Sequence, residues 1–377
     1  MKRVGRNPPF TGHKRMAMDI QSDISNPNVG AAIIFGNYGT PDNSNTFQFR
    51  KGGEKDLDNV QSVFIKSLGF DWLNKDNSHN LFINQWDHTK IRASGQIGNC
   101  RKCLKCLIKN TDFKRYKYFV LAISSHGFSE KGEQFVQFLS STDYALLSLS
   151  EVLEAISDKQ CPTLAGKPRI VIVQACRTDS EFPDLAEDHG VVFNLYTEQG
   201  HEEFPVNALL KEFGHLTIDE SNAGLMDTDE VSEDAAPPTA RQGNVGSIKV
   251  LVQADEKDET KLKIPNNFLV IYPTAPYRYS KRNETEGSWF EFYLKEVVDE
   301  YEGHSTELDF FQVLTETNQR VSNRETVVYK RNSAGKIQYD PGTESPSRDE
   351  DKSGKKNVVW IEHRITQPLV FRLASGN

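Results

Sequence analysis

A cysteine and a histidine each follow an apolar run, at the points where two buried strands are predicted to end. Cys176 comes shortly after the run Ile170–Val173, and His126 comes shortly after the run Tyr118–Ile123. The carboxyl ends of parallel strands meet at one edge of a sheet, so the thiol and the imidazole are expected to lie close together. A thiol becomes an effective nucleophile when a base lies within reach, and histidine can supply that base. The pattern therefore predicts thiol nucleophilic catalysis.

A glycine follows the histidine directly. Because Gly127 has no side chain, its backbone N–H can approach a reacting carbonyl closely, alongside the N–H of Cys176. Two such donors would stabilise the negative charge that develops on the carbonyl oxygen during attack, as an oxyanion hole does. Cys176 alone would more often be a buried core thiol, and His126 alone a strand-end histidine. Their joint placement beside Gly127 favours a catalytic site.

Strands alternate with amphipathic helices along most of the chain. Apolar runs predict strands at 31–35, 118–123, 135–139, 169–173, 267–272 and near 358–361. Apolar residues at helical spacing predict helices at 54–68, 97–108, 149–156, 288–301 and 307–321. This alternation is typical of an α/β fold in which helices cover both faces of a largely parallel sheet.

Composition argues against several classes of protein. The formal net charge is −8 and the basic residues form no long tract, so nucleic acid is not an expected partner. No apolar stretch approaches the roughly 20 residues that span a bilayer, and the N-terminal segment lacks the apolar core of a signal peptide. Five cysteines are an odd number for a disulfide framework. We therefore expect a cytoplasmic protein with reduced thiols and no membrane partner.

Five short segments carry a more specific pattern. They are Ser125–Gly127, Gln174–Arg177, Tyr272–Pro276, Tyr279–Asn283 and Gly287–Phe290. In order and spacing they resemble the caspase family over about residues 26–373, and the second segment matches the start of that family's cysteine signature. The resemblance implies a three-layer sandwich with a central sheet of about six mostly parallel strands. It also implies a cysteine endopeptidase that cuts after aspartate and needs no cofactor.

The resemblance assigns a pocket for the substrate aspartate to Arg50, Gln174 and Arg282. Two guanidinium groups can donate paired hydrogen bonds to one carboxylate, and a glutamine amide can donate another. Four more residues are implied to bind the substrate backbone or to line neighbouring pockets: Tyr279, Ser280, Asn283 and Trp289. Taken singly, each of these residues would be an ordinary surface or core residue.

The chain is predicted to be a precursor in four segments. Residues 1–26 form a short flexible leader, 27–188 a large-subunit portion, 189–262 an acidic disordered linker and 263–377 a small-subunit portion. An enzyme that cuts after aspartate can process its own acidic linker. Candidate cleavage sites are Asp19, Asp23, Asp188, Asp219, Asp229, Asp234 and Asp255. Asp234 is favoured because the small residue Ala235 follows it.

The resemblance also implies partners. These are protein substrates with aspartate at the cut, an upstream activating caspase, inhibitor proteins, and a second copy of the chain bound through the small-subunit edge. The leader is too short to hold an adaptor-binding domain. This favours a downstream executioner role in programmed cell death over an initiator role.

Two residues depart from the family's pattern. Thr178 stands where the family has glycine, and a β-branched residue disfavours positive φ, so either the turn differs or the site is perturbed. Lys281 stands where the family usually has an aromatic or apolar residue. It is expected to weaken selection for a hydrophobic residue just before the aspartate and to favour acidic neighbours. Both leave open an alternative, a catalytically weakened homologue that regulates an active caspase by dimerising with it. Against this alternative, every side chain with a direct chemical role is present.

A run of three cysteines lies elsewhere, at Cys100, Cys103 and Cys106. It resembles half of an iron–sulfur motif, with Cys161 as a remote fourth ligand. Because Cys100, Cys103 and Leu104 share one face of the predicted helix, small apolar core positions are the simpler interpretation. We therefore expect no metal at these residues.

Overall fold

The computed structural model describes residues 30–41, 47–90, 100, 103–140, 144–183, 186, 192–197, 200–205, 264–333, 336–343 and 345–374. The predicted leader 1–26 lies outside the described residues, and so do all the candidate cleavage sites: Asp19, Asp23, Asp188, Asp219, Asp229, Asp234 and Asp255.

The described residues form the following strands and helices. The strands are β1 Gly30–Gly36, β2 Asp71–Trp72, β3 Tyr118–Ser124, β4 Gly127–Glu130, β5 Glu133–Leu139, β6 Tyr144–Ser148, β7 Arg169–Gln174, β8 Val192–Thr197, β9 Gly200–Pro205, β10 Phe268–Tyr272, β11 Arg282–Asn283, β12 Gly287–Ser288, β13 Glu307–Asp309, β14 Trp360–His363 and β15 Val370–Arg372. The α-helices are α1 Gly53–Gln61, α2 Ile83–Trp86, α3 Leu104–Asn110, α4 Leu149–Ala155, α5 Trp289–His304 and α6 Phe310–Asn323. Within the described ranges, no helix has the length and apolarity needed to cross a membrane.

Six strands of the described chain form the central sheet, in the order β14-β10-β7-β3-β1-β2. Every neighbouring pair is parallel except β10 with β14. Strands β1, β7 and β10 are buried at every position. Continuous apolar strands of this kind arise when both faces of a parallel sheet are covered.

Two hydrophobic clusters cover the opposite faces of this sheet. Ile33 and its neighbour Ile34 in β1 belong to different clusters, because successive side chains in a strand point to opposite faces. Helices α3 and α4 contribute to the first cluster, and α1, α5 and α6 contribute to the second. The predicted α/β sandwich with a six-stranded, mostly parallel sheet is confirmed.

Two predicted helices differ from the observed ones. The helix predicted at 54–68 is α1, followed by a π-helical turn over Ser62–Ser67 in which the Leu68 N–H donates to the Val63 carbonyl. The helix predicted at 97–108 begins only at Leu104 in its described part, with Cys103 as its N-cap. A cap residue has extended backbone, so Cys103 does not share a helical face with the residues after it.

A β-hairpin lies within the segment that was predicted to be a disordered linker, 189–262. Its strands β8 and β9 pair antiparallel from Val192 with Pro205 to Thr197 with Gly200. The sequence Val192-Phe193-Asn194-Leu195-Tyr196 is rich in residues that favour strands, which gives a physical reason for the hairpin. The division of the chain into four segments, including the linker 189–262, stays a prediction.

Candidate active site

The register between β3 and β7 aligns the candidate nucleophile with the candidate base. Ser124 lies opposite Gln174 in this parallel pair, and the Ser125 N–H donates to the Gln174 carbonyl at 2.9 Å. His126 comes two residues after Ser124, and Cys176 comes two residues after Gln174. Both residues therefore lie at the same edge of the sheet. The structure thus brings together the two residues whose positions predicted thiol chemistry.

His126 is held by the loop that precedes α1. Its Nε2–H donates to the Gln48 carbonyl at 2.7 Å, and the Phe47 ring lies 5.1 Å away between centroids. Since a carbonyl only accepts, Nε2 carries the proton and Nδ1 keeps its lone pair. Burial, together with the charges of Arg50 and Arg282, lowers the pKa of His126 to about 4, while the bond to Gln48 opposes this. The imidazole is therefore neutral at neutral pH and can act as a base through Nδ1.

Gly127 lies where the backbone leaves no room for a side chain. A Cβ atom there would be 2.6 Å from the Phe135 carbonyl oxygen and 2.8 Å from the Ala175 Cβ. Atoms cannot approach so closely without displacing backbone. Glycine is thus required for the close contact between β4 and the chain segment just before the candidate nucleophile.

The N–H of Gly127 points away from its neighbour in the small sheet. The Gln137 N–H donates to the His126 carbonyl at 2.9 Å, which makes these residues a hydrogen-bonded pair of the antiparallel β4–β5 ladder. Hydrogen-bonded and non-hydrogen-bonded pairs alternate in such a ladder, so Gly127 and Val136 form a non-hydrogen-bonded pair. The Gly127 N–H is therefore directed to the other side of β4.

Thr178 shows what lies on that side. Its carbonyl accepts the N–H of Ser129 at 2.8 Å, so the residues of β4 that share the orientation of Gly127 face the loop of Cys176. This is the orientation that an oxyanion hole needs. Thr178 is not among the described non-glycine residues with positive φ. The turn after the candidate nucleophile is built without a left-handed residue, so the β-branched side chain causes no strain of that kind.

Arg50 forms the floor of the candidate aspartate pocket. It is 3% exposed, donates to the Asn37 carbonyl and the Ser124 hydroxyl, both at 3.1 Å, and pairs with Asp56 at 3.5 Å. Burial, followed by the like charge of Arg282, lowers the pKa of Arg50 to about 10, while Asp56 opposes this. The guanidinium stays charged at neutral pH. An incoming carboxylate would offset its repulsion with Arg282.

The other two predicted pocket residues come from different elements. Gln174 ends β7, is 1% exposed, and donates through Nε2 to the Ser280 hydroxyl at 2.6 Å. Its Oε1 has no hydrogen-bond partner in the described part of the chain. Arg282 is half-buried in β11, opposite Ser288 of β12. The charge of Arg282 is one cause of the lowered pKa of Arg50.

Two buried carboxyl groups, Asp56 and Glu291, lie close to Arg50 and were not among the predicted site residues. Asp56 is fully buried and accepts the Ser124 hydroxyl at 2.6 Å and the Ser288 N–H at 2.7 Å. Glu291 is 2% exposed, and its Oε2 has no hydrogen-bond partner among the described residues. Burial, then the charge of Asp56, raises the pKa of Glu291 well above its usual range, against the effect of Arg50. The available signal was an acidic residue inside the otherwise apolar start of α5.

Replacing Glu291 with glutamine should stabilise the protein at neutral pH and flatten its pH dependence. An unfolded glutamate loses its proton near pH 4.3, whereas folded Glu291 holds it to higher pH. The folded state then binds more protons than the unfolded state, so stability falls as pH rises above the unfolded pKa. Each unit of elevation is worth about 1.4 kcal/mol.

Chemical denaturation at about pH 5 and about pH 8 measures this effect, since the ordinary glutamate pKa lies just below that window. The matched control is Glu302→Gln, an exposed position on the same helix, which should leave the pH slope of the wild type unchanged. The same slope in Glu291→Gln and wild type would contradict the assignment.

A groove of about 510 Å³ lies beside the pocket. It is lined by Phe49, Lys51, Tyr279, Ser280, Lys281, Arg282 and Glu284. Lys51 and Glu284 form an exposed ion pair at 2.5 Å, which links the two walls of the groove. Three predicted substrate-binding residues therefore share one surface: Tyr279, Ser280 and Arg282.

Arg50 and Gln174 are not among the residues that line this groove, and neither are Asn283 and Trp289. The Asn283 Oδ1 accepts the N–H and the hydroxyl of Thr285 at 2.8 and 2.7 Å, so its side chain closes the β11–β12 turn. Trp289 is 4% exposed, and the Arg324 guanidinium lies 4.8 Å from its ring centroid. Both side chains serve local structure in this conformation.

Comparison with known proteins places this geometry in context. A family model described as the caspase domain matches residues 29–369. Caspase-7 of Gallus gallus is 25% identical over 352 residues, which cover 93% of this chain and 80% of the relative. Caspase-3 of Felis catus is 23% identical over 366 residues, covering 96% and 92%. Cell death protein 3 of Caenorhabditis remanei is 26% identical over 260 residues, covering 66% and 40%.

Proposed function

The chain belongs to the caspase family, and from that premise we propose that it is a cysteine endopeptidase that cuts peptide bonds after aspartate. One observation carries the proposal. At the edge of the sheet that presents Cys176 and His126, the buried Arg50 donates to the Ser124 hydroxyl. The charge of the half-buried Arg282 acts on Arg50 from the small β11–β12 sheet. A thiol, a neutral imidazole and an anion pocket together are what cleavage after an acidic residue requires.

The bond-making step follows from the protonation state of the histidine. Nδ1 of His126 accepts the thiol proton as Sγ of Cys176 attacks the carbonyl carbon after the bound aspartate. The N–H groups of Gly127 and Cys176 donate to the resulting oxyanion. Collapse of the tetrahedral intermediate breaks the C–N bond, and the imidazolium returns its proton to the leaving amine.

Water completes the cycle. The first half-reaction leaves an acyl-enzyme, in which a thioester joins Cys176 to the N-terminal fragment. His126 removes a proton from water as the oxygen attacks the thioester carbonyl. The carbon–sulfur bond then breaks, the proton passes to the sulfur, and a free carboxylate leaves. No cofactor takes part in either half-reaction.

Selection of aspartate follows from the charge and depth of the pocket. Arg50 is buried, so its interaction with a substrate carboxylate is weakly screened by solvent. The amide of Gln174, held by Ser280, limits the width of the pocket and offers a further polar contact. An asparagine side chain has the same shape but no charge, so two guanidinium groups would discriminate against it.

The proposal extends to activation, partners and setting. We propose that the chain is a precursor whose segment 189–262 is cut after aspartate, by itself or by an upstream caspase. The mature form is then a cytoplasmic homodimer of large and small portions, acting in programmed cell death and subject to inhibitor proteins. Intact-mass spectrometry of the purified protein tests the processing, since cleavage must produce a new C-terminus at an aspartate of that segment.

Replacing Lys281 with leucine should shift the preference for the residue before the aspartate from acidic to aliphatic. Lys281 is half-buried in the groove, with its ammonium 5.7 Å from the Tyr279 ring centroid. A solvent-screened ion pair contributes up to about 1 kcal/mol, so the ratio of rates should change up to about fivefold. A tetrapeptide library measures the ratio, and Lys281→Arg should retain it. A wild type that cuts acidic and aliphatic peptides equally well would contradict the prediction.

The alternative function is regulation of an active relative by a weakened homologue. Its support in the sequence was Thr178 and Lys281. The turn at Thr178 contains no strained φ, which weakens that support. Hydrolysis of an aspartyl tetrapeptide reporter by wild type and by Cys176→Ala distinguishes the two functions. Equal rates would favour the regulator.

A further inference from the structure

Three cysteines and a histidine converge between the turn that follows α2 and the start of α3. One ligand atom from each of His88, Cys100, Cys103 and Cys106 lies within 4.8 Å of every other. All five cysteines of the chain are described residues, and none forms a disulfide bond. The spacing of the three cysteines marks them as a group in the sequence, whereas no such pattern marks His88.

The interpretation of these cysteines as core positions does not fit their surroundings. Only Cys103 is buried, whereas Cys100 and Cys106 are partly exposed. Helix α3 begins after Cys103, so the run does not form one apolar helical face. Cys161, the remote fourth ligand considered from the sequence, instead lies in the core with its Sγ 3.7 Å from the Ile108 carbonyl.

Two sulfur atoms share one ring nitrogen. His88 Nδ1 lies 3.5 Å from Cys103 Sγ and 3.6 Å from Cys106 Sγ. An imidazole nitrogen has one lone pair or one proton in the ring plane, so it cannot form two well-aligned hydrogen bonds. A cation at the centre of the group explains both distances, because ligands of one tetrahedral ion sit at a fixed separation.

The separations match those of a tetrahedral zinc site. Zn–S bonds of about 2.3 Å and Zn–N bonds of about 2.05 Å at the tetrahedral angle place sulfur and nitrogen about 3.6 Å apart. The two measured distances are 3.5 and 3.6 Å. The same geometry places two sulfur atoms about 3.8 Å apart, within the spread of the group.

Backbone donors are aimed at two of the sulfur atoms. The Cys103 N–H donates to Cys100 Sγ at 3.5 Å, and the Cys106 N–H donates to Cys103 Sγ at 3.4 Å. Such N–H···S contacts disperse the charge of a thiolate and fix the direction of its lone pairs. The second of these contacts is also the N-cap bond of helix α3.

The turn that carries the histidine is held independently. Asp87 is 3% exposed and accepts the Thr89 N–H at 3.0 Å and the Lys105 ammonium at 2.8 Å. The Lys105 bond ties this turn directly to helix α3, and Leu104 anchors the same helix in the core. The four ligands are thus presented by two segments that are already fastened to each other and to the sheet.

We propose that His88, Cys100, Cys103 and Cys106 bind one zinc ion with a structural role. Three thiolates and one imidazole in a tetrahedron are a ligand set that favours Zn²⁺ over magnesium, calcium or manganese. Four protein ligands leave no position open for water or substrate, which is typical of structural sites. The ion would cross-link the turn after α2 to the start of α3.

Metal analysis of the full-length Cys176→Ala protein tests the site. This background removes the candidate catalytic thiol, which with His126 would otherwise offer a second place for zinc. After dialysis against a weak chelator, we expect about one zinc per chain by elemental analysis. Cobalt substitution of the same protein should give the intense visible absorption of a tetrahedral ion and a thiolate charge-transfer band.

Variants assign the ligands. Cys106→Ser and His88→Ala should each weaken zinc binding at least about tenfold, while His88→Cys should retain the ion with a changed cobalt spectrum. Cys161→Ala is the matched control and should keep full occupancy. If Cys106→Ser fails to fold, the cobalt spectrum of the protein that keeps all four ligands still tests the proposal.

Three results would overturn the proposal. The first is a folded protein that holds less than about a tenth of an equivalent of zinc even when zinc is supplied. The second is full zinc retention in both Cys106→Ser and His88→Ala. The third is a disulfide within the cysteine run in protein purified from reducing conditions, which would indicate a redox pair.

Discussion

Replacing Cys176 with alanine should lower the hydrolysis of an aspartyl tetrapeptide reporter by at least about 10⁴-fold. The substitution removes the sulfur that forms the thioester, and no other described cysteine lies at this edge of the sheet. The oxyanion donors and the aspartate pocket would remain, and alone they give only a small residual rate. Initial rates under pseudo-first-order conditions measure the loss.

A catalytically inactive variant cannot cleave its own linker. The assay must therefore separate the loss of catalysis from the loss of proteolytic activation. Cys176→Ala is therefore first cut by a trace of wild-type enzyme, whose own activity is subtracted. Cys161→Ala, a buried thiol far from this edge, serves as the control and should keep its rate within about threefold of the wild type. A processed Cys176→Ala protein that retains a tenth of the wild-type rate would exclude the proposed nucleophile.

Replacing Arg282 with glutamine should lower kcat/KM for the aspartyl reporter by about 10²- to 10³-fold. The half-buried guanidinium is one of two positive groups proposed to receive the substrate carboxylate, and glutamine keeps a donor without the charge. The same substitution should change the rate for an asparaginyl reporter by less than about fivefold, because an amide has no charge to lose. The ratio of the two effects measures recognition of the charge itself.

Arg282 is a sharper test than Arg50. Arg50 pairs with fully buried Asp56, so its loss would leave an uncompensated buried charge and destabilise the fold by about 3–5 kcal/mol. Arg278→Gln on the same loop is the matched control for Arg282→Gln and should have little effect. An Arg282→Gln enzyme that loses equal activity toward both reporters would show a structural role instead.

The parts of the fold that the sequence predicted are those set by local pattern. Apolar runs such as Ile170–Val173 identify strands because a sheet covered on both faces needs them, and their parallel order then places Cys176 beside His126. Tyr279, Ser280 and Arg282 are close in the sequence and line one groove. For these residues, sequence proximity and spatial proximity coincide.

The residues that the sequence did not reveal depend on contacts between distant segments. Asp56 receives the N–H of Ser288, and Glu291 lies near both Asp56 and Arg50 in space. No local periodicity marks such a group, because burial of a carboxyl depends on which helix packs over it. His88 is a similar case, since only the packing of the α2 end against α3 brings it to the cysteines.

The conformation of single residues could not be predicted from the sequence either. Asn283 and Trp289 fit a substrate-binding pattern, yet a local turn and a cation–π contact occupy their side chains. Thr178 suggested a strained turn, yet its φ is not positive. A motif specifies residue types, while hydrogen bonding and packing decide where each side chain points.

We propose that this edge of the sheet hydrolyses peptides after aspartate because Arg50 and Arg282 bind the negatively charged side chain. The most direct test is kcat/KM of the processed wild-type protein for two tetrapeptide reporters that differ only in aspartate or asparagine at the cut. We expect the wild type to prefer the aspartyl reporter by at least about 100-fold. Cys176→Ala should hydrolyse neither reporter. Equal rates for the two reporters, or hydrolysis of neither by processed protein, would contradict it.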